Sequence, residues 1–169
     1  DLALAGGLIL ITPPAGDQYS APRVYSAGMA FPPARFAFEL GMGEPPRALF
    51  DQRRLVPGVD GAAMLLRVEA CRQASLPARE IFPEAFFAYG EEVDLAQRLA
   101  RLELVCGIDG LARAWHRGQG SGGLSRTAIR ARFLRNHWLV TLRNDSWATI
   151  LCDLPWIVRG ELQYWLPEY

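Results

Sequence analysis

The apolar positions of the chain fall into runs and stripes of distinct period. Leu2 to Ile11 is a continuous apolar run closed by Pro13-Pro14, which predicts a buried strand and is far too short for a membrane span. Gly61 to Val68 predicts a second strand, Glu69 to Gln73 a brief helix ended before Pro77, and Leu104 to Ile108 a further strand. Leu95, Leu99 and Leu102, flanked by Ala96 and Ala100, form one stripe at helical spacing and predict the strongest helix of the chain. Ser125 is placed to cap a long helix running to about Arg143. Residues 12–57 hold most of the prolines and predict a long irregular excursion, with a short helix near Ala34 to Leu40. Excursions of that length inside a compact domain are usually functional. Gly118 to Gly123 reads as a flexible loop, and residues 145–169 as an aromatic-rich tail broken at Pro155. The alternation of strands and helices predicts an α/β layered fold.

Composition narrows the chemistry. The 169 residues suffice for one sizeable core, and 18 basic residues balance 18 acidic ones, against a duplex nucleic-acid partner. All 18 basic residues are Arg, which excludes a Walker-type phosphate loop, a Schiff-base lysine and an amine base. Cys71, Cys106 and Cys152 lack the spacing of a zinc site or a disulfide framework, and read as small apolar residues in a reducing compartment.

Charge is unevenly distributed. Glu91, Glu92 and Asp94 open the strongest helix, where carboxylates favour the unpaired N–H groups and the macrodipole. They also follow Phe86, Phe87, Tyr89 and the flexible Gly90, a setting in which one acid can face a substrate hydroxyl as a base. Adjacent acids cannot flank one bond from opposite sides, which disfavours a hydrolase with paired carboxylates. From Gly110 to Asn144 there is no acid but seven arginines, at 113, 117, 126, 130, 132, 135 and 143. Such a stretch suits a diphosphate or an anionic membrane surface. Asp60 is placed either to bond a sugar hydroxyl or to close a turn, and His116 either to ligate a metal or to serve as a structural residue. His137 reads as a helix-face residue.

The order of these motifs resembles family 2 glycosyltransferases, especially rhamnosyltransferase-like members. The matching residues are Gly61-Ala62-Ala63-Met64-Leu65-Leu66-Arg67, then Phe86 to Leu99 (FFAYGEEVDLAQRL), then His116, the glycine loop and Arg135-Asn136. The resemblance runs from about Leu2 to Asn144 and implies the C-terminal, acceptor-side part of a GT-A fold, with a mixed sheet and flanking helices. It further implies that the nucleotide-binding half with its Asp-x-Asp motif is missing ahead of Asp1, while residues 145–169, beyond the resemblance, read as a tail whose Trp and Tyr residues suit membrane contact.

On that resemblance the reaction is inverting transfer of a sugar, commonly rhamnose, from a nucleotide-diphosphate donor to a cell-envelope glycan or polyprenyl-linked acceptor. The place of action would be the cytoplasmic face of a bacterial membrane. Glu92 would be the base, with Glu91 and Asp94 orienting the acceptor or supporting the helix start. Its ionised form would be favoured by the helix N-terminus. Asp60, Gly61 and Tyr89 would line the substrate site. Arg117 and Arg135 would bind substrate phosphate, and His116 would help hold Mn²⁺ or Mg²⁺. The fragment alone would transfer nothing and would expose apolar strand surface. The competing expectation is a noncatalytic membrane- or carbohydrate-binding fragment.

Overall fold

A computed structural model describes residues 2–13, 21–77, 79–117 and 125–166, apart from the side chains of Arg126 and Trp165. The expected glycine loop at 118–123 lies outside them. The chain is α/β, with a mixed five-stranded sheet and flanking helices. Strand β1 (Leu2–Ile11) is followed by β2 (Val24–Ser26), β3 (Met29–Ala30), β4 (Phe38–Glu39), β5 (Arg53–Val56) and β6 (Met64–Leu66). Helices α1 (Val68–Gln73) and α2 (Glu91–Arg101) precede the last strand β7 (Val105–His116), and α3 (Arg126–Asn144) and α4 (Trp147–Trp165) follow it.

β1 runs parallel to β7 on one side and antiparallel to β2 and β6 on the other, and β5 pairs antiparallel with the outer edge of β7. β7 is much longer than the Leu104 to Ile108 strand the sequence suggests. Asp109-Gly110 reads as a strand stop, yet the register with β1 jumps from Gly7↔Asp109 to Leu8↔Arg113, so these residues form a bulge and the ladder resumes as far as His116. The helix expected near Ala34 to Leu40 is absent. After the turn that follows Pro32-Pro33 the chain forms no helix, and Phe38–Glu39 (β4) pair with β3 in a two-stranded ribbon. The strand expected over 61–68 is shorter, because Gly61–Ala63 form a 3-10 turn before β6.

The main core lies between the sheet and α2. Leu95 and Leu99 pack with Leu4, Val56, Val59 and Ile108, burial that offsets the ordering of this short helix. Leu102, expected on the same stripe, falls at the helix C-cap and is 47% exposed. A second cluster of Met29, Phe86, Val93 and Val140 joins α2, α3 and the aromatic turn before α2. The tail expected to break at Pro155 is instead α4, which carries that proline within it and is capped by Ser146, whose Oγ accepts from Thr149 N and shares a hydrogen bond with Thr149 Oγ1. A Cβ on Gly160 of α4 would stand 2.9 Å from the Phe36 ring, so the helix backbone lies directly against that side chain. Exposed apolar strand residues are present, among them Leu55, Leu65, Leu111 and Trp115.

Candidate active site

The site is organised by the turn that leads into α2. Phe87 at φ 62° and Tyr89 at φ 74° both occupy the left-handed region, which costs a side-chain-bearing residue about 1–2 kcal/mol. Gly90 at φ 90° completes the reversal and is the N-cap of α2. Asn136 on α3 holds this backbone in place. Its buried Nδ2 donates to the carbonyl oxygens of Phe86, Ala88 and Tyr89 at 3.0, 2.8 and 2.7 Å, two hydrogens shared among three acceptors. Arg135 Nη1 donates to Ala85 O and to Asn136 Oδ1, both at 2.8 Å, and fixes the amide orientation. The Arg-Asn pair and the aromatic-acidic motif, far apart in sequence, are thus one clamp. Arg135, expected to bind substrate, spends one nitrogen on positioning.

Glu92 emerges from this turn between two recesses. On one side lies an inner cavity of about 490 Å³, lined by Tyr25, Glu39, Asp60 and Tyr89 at its polar end and by Phe36, Phe38 and Met42 among its apolar residues. On the other lies an aromatic recess of about 390 Å³ bordered by Gly61, Phe82, Phe86, Phe87 and Glu91. Glu92 lines both. Gly61 stands directly against it, since a Cβ there would meet Glu92 Cβ at 3.8 Å. Asp60, Gly61, Tyr89, Glu91 and Glu92 are therefore brought together as expected. Asp60 closes a turn as well, accepting from Ala62 N at 2.7 Å.

Burial pushes Glu92 up to about 7, and the negative charges of Glu91 and Asp60 act in the same direction. Backbone N–H groups of Gly90 and Glu92 oppose the rise and are outweighed. The expectation that the helix N-terminus would keep this carboxyl well ionised is therefore corrected: near neutrality it is balanced between its two forms. Glu39, which the sequence reading passed over, is raised further, to about 8, by burial and by Asp60 and Glu92, while Ser26 bonds to its charged form and pulls the other way. Tyr25, also passed over, rises to about 12 through burial and the same acids. Both sit in the proline-rich excursion, where the only sequence signal was the length of the segment.

Asp94 belongs elsewhere. It is fully buried and accepts from Arg98 Nε at 2.8 Å, Asn144 Nδ2 at 2.8 Å and Arg143 Nε at 3.3 Å. Arg98 in turn donates to the carbonyls of Ala74 and Ile81. Of the roles expected for Asp94, the geometry fits support of the helix rather than contact with acceptor.

The arginine stretch likewise divides. Arg113 pairs with Asp51 at 2.7 Å, Arg143 with Asp94, and Arg130 and Arg132 lie over the rings of Tyr164 and Phe87. A single phosphate cradle does not form from these four. Arg117 is exposed at the end of β7, just before residues outside the description. His116 packs against Tyr25 with the rings tilted by 60° and their centroids 4.5 Å apart, and so stands behind a residue that lines the inner cavity. Among the described residues no three His, Cys, Asp or Glu side chains converge to hold a metal ion. His116 is thus a single candidate ligand among the described residues.

A last layer backs the cavity. Arg35 binds Asp145 at 2.7 Å and Asp153 at 2.8 Å, and the His137 ring stacks on Phe36 at 4.0 Å. His137 is therefore a packed wall residue, and burial lowers its basicity. The chain matches no family model, no curated protein and no solved structure.

Proposed function

We propose that this chain is the acceptor-side part of an inverting, family 2-like glycosyltransferase of GT-A type, with Glu92 as its base. The observation that carries the reading is the position of Glu92, the carboxyl shared by the inner cavity and the aromatic recess. A base for sugar transfer needs a hydroxyl on one side and an electrophilic carbon on the other. It also works best with a pKa near the working pH. As the acceptor oxygen attacks the anomeric carbon, the ionised Glu92 takes its proton. The bond from that carbon to the nucleotide diphosphate breaks, and the electron pair leaves with the phosphate. Glu39 and Asp60 line the same cavity and can receive other acceptor hydroxyls. A Mn²⁺ or Mg²⁺ ion, where bound, would neutralise the leaving diphosphate, with His116 as the candidate ligand from this chain.

Membrane contact is part of the proposal. Along α4 the exposed residues include Trp147, Leu151, Leu154, Trp156, Val158 and Leu162, and Arg159 is the one charged residue among those exposed. Asp153 is turned inward to Arg35, and Glu161 Oε1 lies 3.4 Å from His137 Nε2. No described helix is long and apolar enough to cross a membrane. A helix with this outward face suits lying flat on an anionic bilayer, where Trp is favoured and a phosphate can meet Arg159. The same face would serve a noncatalytic membrane-binding fragment, so the decisive experiment is on Glu92. Supplied with a donor-binding half and a nucleotide sugar, Glu92→Gln is expected to lower turnover by about 10²–10⁴-fold with acceptor binding kept. Turnover that survives largely intact removes Glu92 as the base and leaves the acidic cluster a structural role at the helix start.

A further inference from the structure

The aromatic turn separates the Glu92 site from a third recess, of about 440 Å³, on its far side. Ala128, Ala131, Arg132 and Arg135 form one helical face of α3 there, opposite Ala85, Phe86 and Phe87. The lining holds two guanidinium groups and no carboxylate. The two alanines keep the floor shallow, so a ligand can approach both arginines. Arg132 Nη1 is buried and makes no hydrogen bond within the chain, so the guanidinium keeps a donor to spare. The Arg132 guanidinium lies 4.2 Å from the Phe87 ring centroid, and that ring is 79% exposed on a left-handed backbone. A strained loop therefore presents an aromatic platform that fixes the plane of an unsatisfied guanidinium. Phe86 and Phe87 border this recess and the aromatic recess alike, which connects it to Glu92.

We infer that the recess between Arg132, Arg135 and Phe87 binds a phosphate or diphosphate group carried by the acceptor. The inference rests on the reading of Glu92 as the acceptor's base for the identity of the molecule, but not for the anion site itself. A planar guanidinium offers two parallel N–H donors to phosphate oxygens, and Arg135 adds a second cation one turn further along α3. The acceptor hydroxyl would then reach Glu92 past the Phe86-Phe87 ridge while its phosphate stays on the α3 side.

The test titrates two probes into the 169-residue chain at near-physiological salt. They are inorganic pyrophosphate, followed by the NMR signals of the arginine Nε–H groups, and phosphatidylglycerol vesicles against phosphatidylcholine ones, followed by co-sedimentation. Arg132→Gln is expected to weaken binding of at least one anionic probe by tenfold or more. Arg132→Lys, which keeps the charge and loses the fork, is expected to fall between. Weakened pyrophosphate binding identifies a free phosphorylated acceptor, and weakened vesicle binding alone identifies a lipid headgroup. Both results support the site. If Arg132→Gln and Arg132→Lys each bind both probes as the parent chain does, the proposal is overturned. Glu92→Gln should leave anion binding unchanged. Loss of the base assignment with Arg132-dependent binding intact would therefore separate failure of the functional reading from failure of this one.

Discussion

Glu92 and Asp94 stand two residues apart on α2 and meet opposite surroundings. Asp94 points into the junction with α3, where Arg98, Arg143 and Asn144 surround it. Glu92 points the other way, into a cavity already holding Glu39 and Asp60, and is raised to about 7. One short helix thus holds a carboxylate saturated with cationic and amide side-chain donors and a carboxyl deprived of cations. The first ties the fold together, and the second is left able to exchange a proton. Their separation follows from helical geometry, since a two-residue step turns a side chain by about 200°.

The largest effect should come from breaking the saturated side. Asp94→Asn leaves Arg98 buried without its counter-charge, a change expected to cost about 3–5 kcal/mol and to lower the melting temperature by about 10 °C or more. Glu92→Gln should do the reverse, with stability unchanged or higher because a neutral amide suits the buried position. Denaturant titration of the two variants checks both halves. Equal losses from the two substitutions would erase the distinction.

The deprived side should show itself through pH. Glu39 and Glu92 bind protons more tightly in the folded chain than the ordinary carboxyl value of 4.5 allows, holding them up to about 8 and 7. Native protein therefore carries more protons than unfolded protein between pH 4.5 and those values. Their stabilising contribution is full below about pH 4.5 and is lost as pH rises through 7 to 8. Comparison with Glu39→Gln isolates one group from the rest. Between pH 5 and 9 the parent should lose about 2 kcal/mol relative to that variant, discounted from the full linkage value because the cavity is open to water. A constant difference across that range would place an ionised Glu39 in the cavity. Turnover should climb with pH through about 7 as Glu92 ionises, where transfer can be measured.

Asn136 connects the two sides, since it secures the turn from which both carboxyls start. Asn136→Ala removes the shared amide from one buried and two half-buried carbonyls and should cost about 1–3 kcal/mol. A purely structural role predicts that loss alone. A positioning role adds a fall in kcat with KM little changed, because the Glu92 turn then samples other geometries.

What the sequence made legible follows the same division. The Leu95 and Leu99 stripe, the Ser125 cap and the run from Leu2 to Ile11 are local patterns with one periodicity each, and each appears as expected. Glu91, Glu92, Asp60, Gly61 and Tyr89, grouped by the resemblance of their motifs, border the two recesses that Glu92 shares. Direction was not legible. Asp94 has a local cation in Arg98, four residues on along the same helix, but its other partners Arg143 and Asn144 arrive only through packing against α3, and nothing local says that Glu92 faces a cavity. Glu39 was hidden for a related reason: its ribbon is two residues long and pairs only once the excursion folds back. The full length of β7 was hidden as well, because its ladder with β1 resumes only beyond a bulge after Asp109.

α4 repeats the comparison on a larger scale and provides the smallest effect on stability. Its inward face carries Asp153 beside Arg35 and packs Gly160 on Phe36, while its outward face is apolar with Arg159 as its charge. Leu151 is 66% exposed, so Leu151→Glu removes little packing and should change stability by about 0.5 kcal/mol or less. Burial at a lipid surface would be lost in full, because a carboxylate there meets both hydrocarbon and anionic headgroups. The expected result is unchanged thermal denaturation with several-fold weaker sedimentation on phosphatidylglycerol vesicles. Unchanged sedimentation, or a dimer that Leu151→Glu dissolves, would assign the outward face to another occupant. In that case α4 would differ from α2, with both of its faces serving protein contacts.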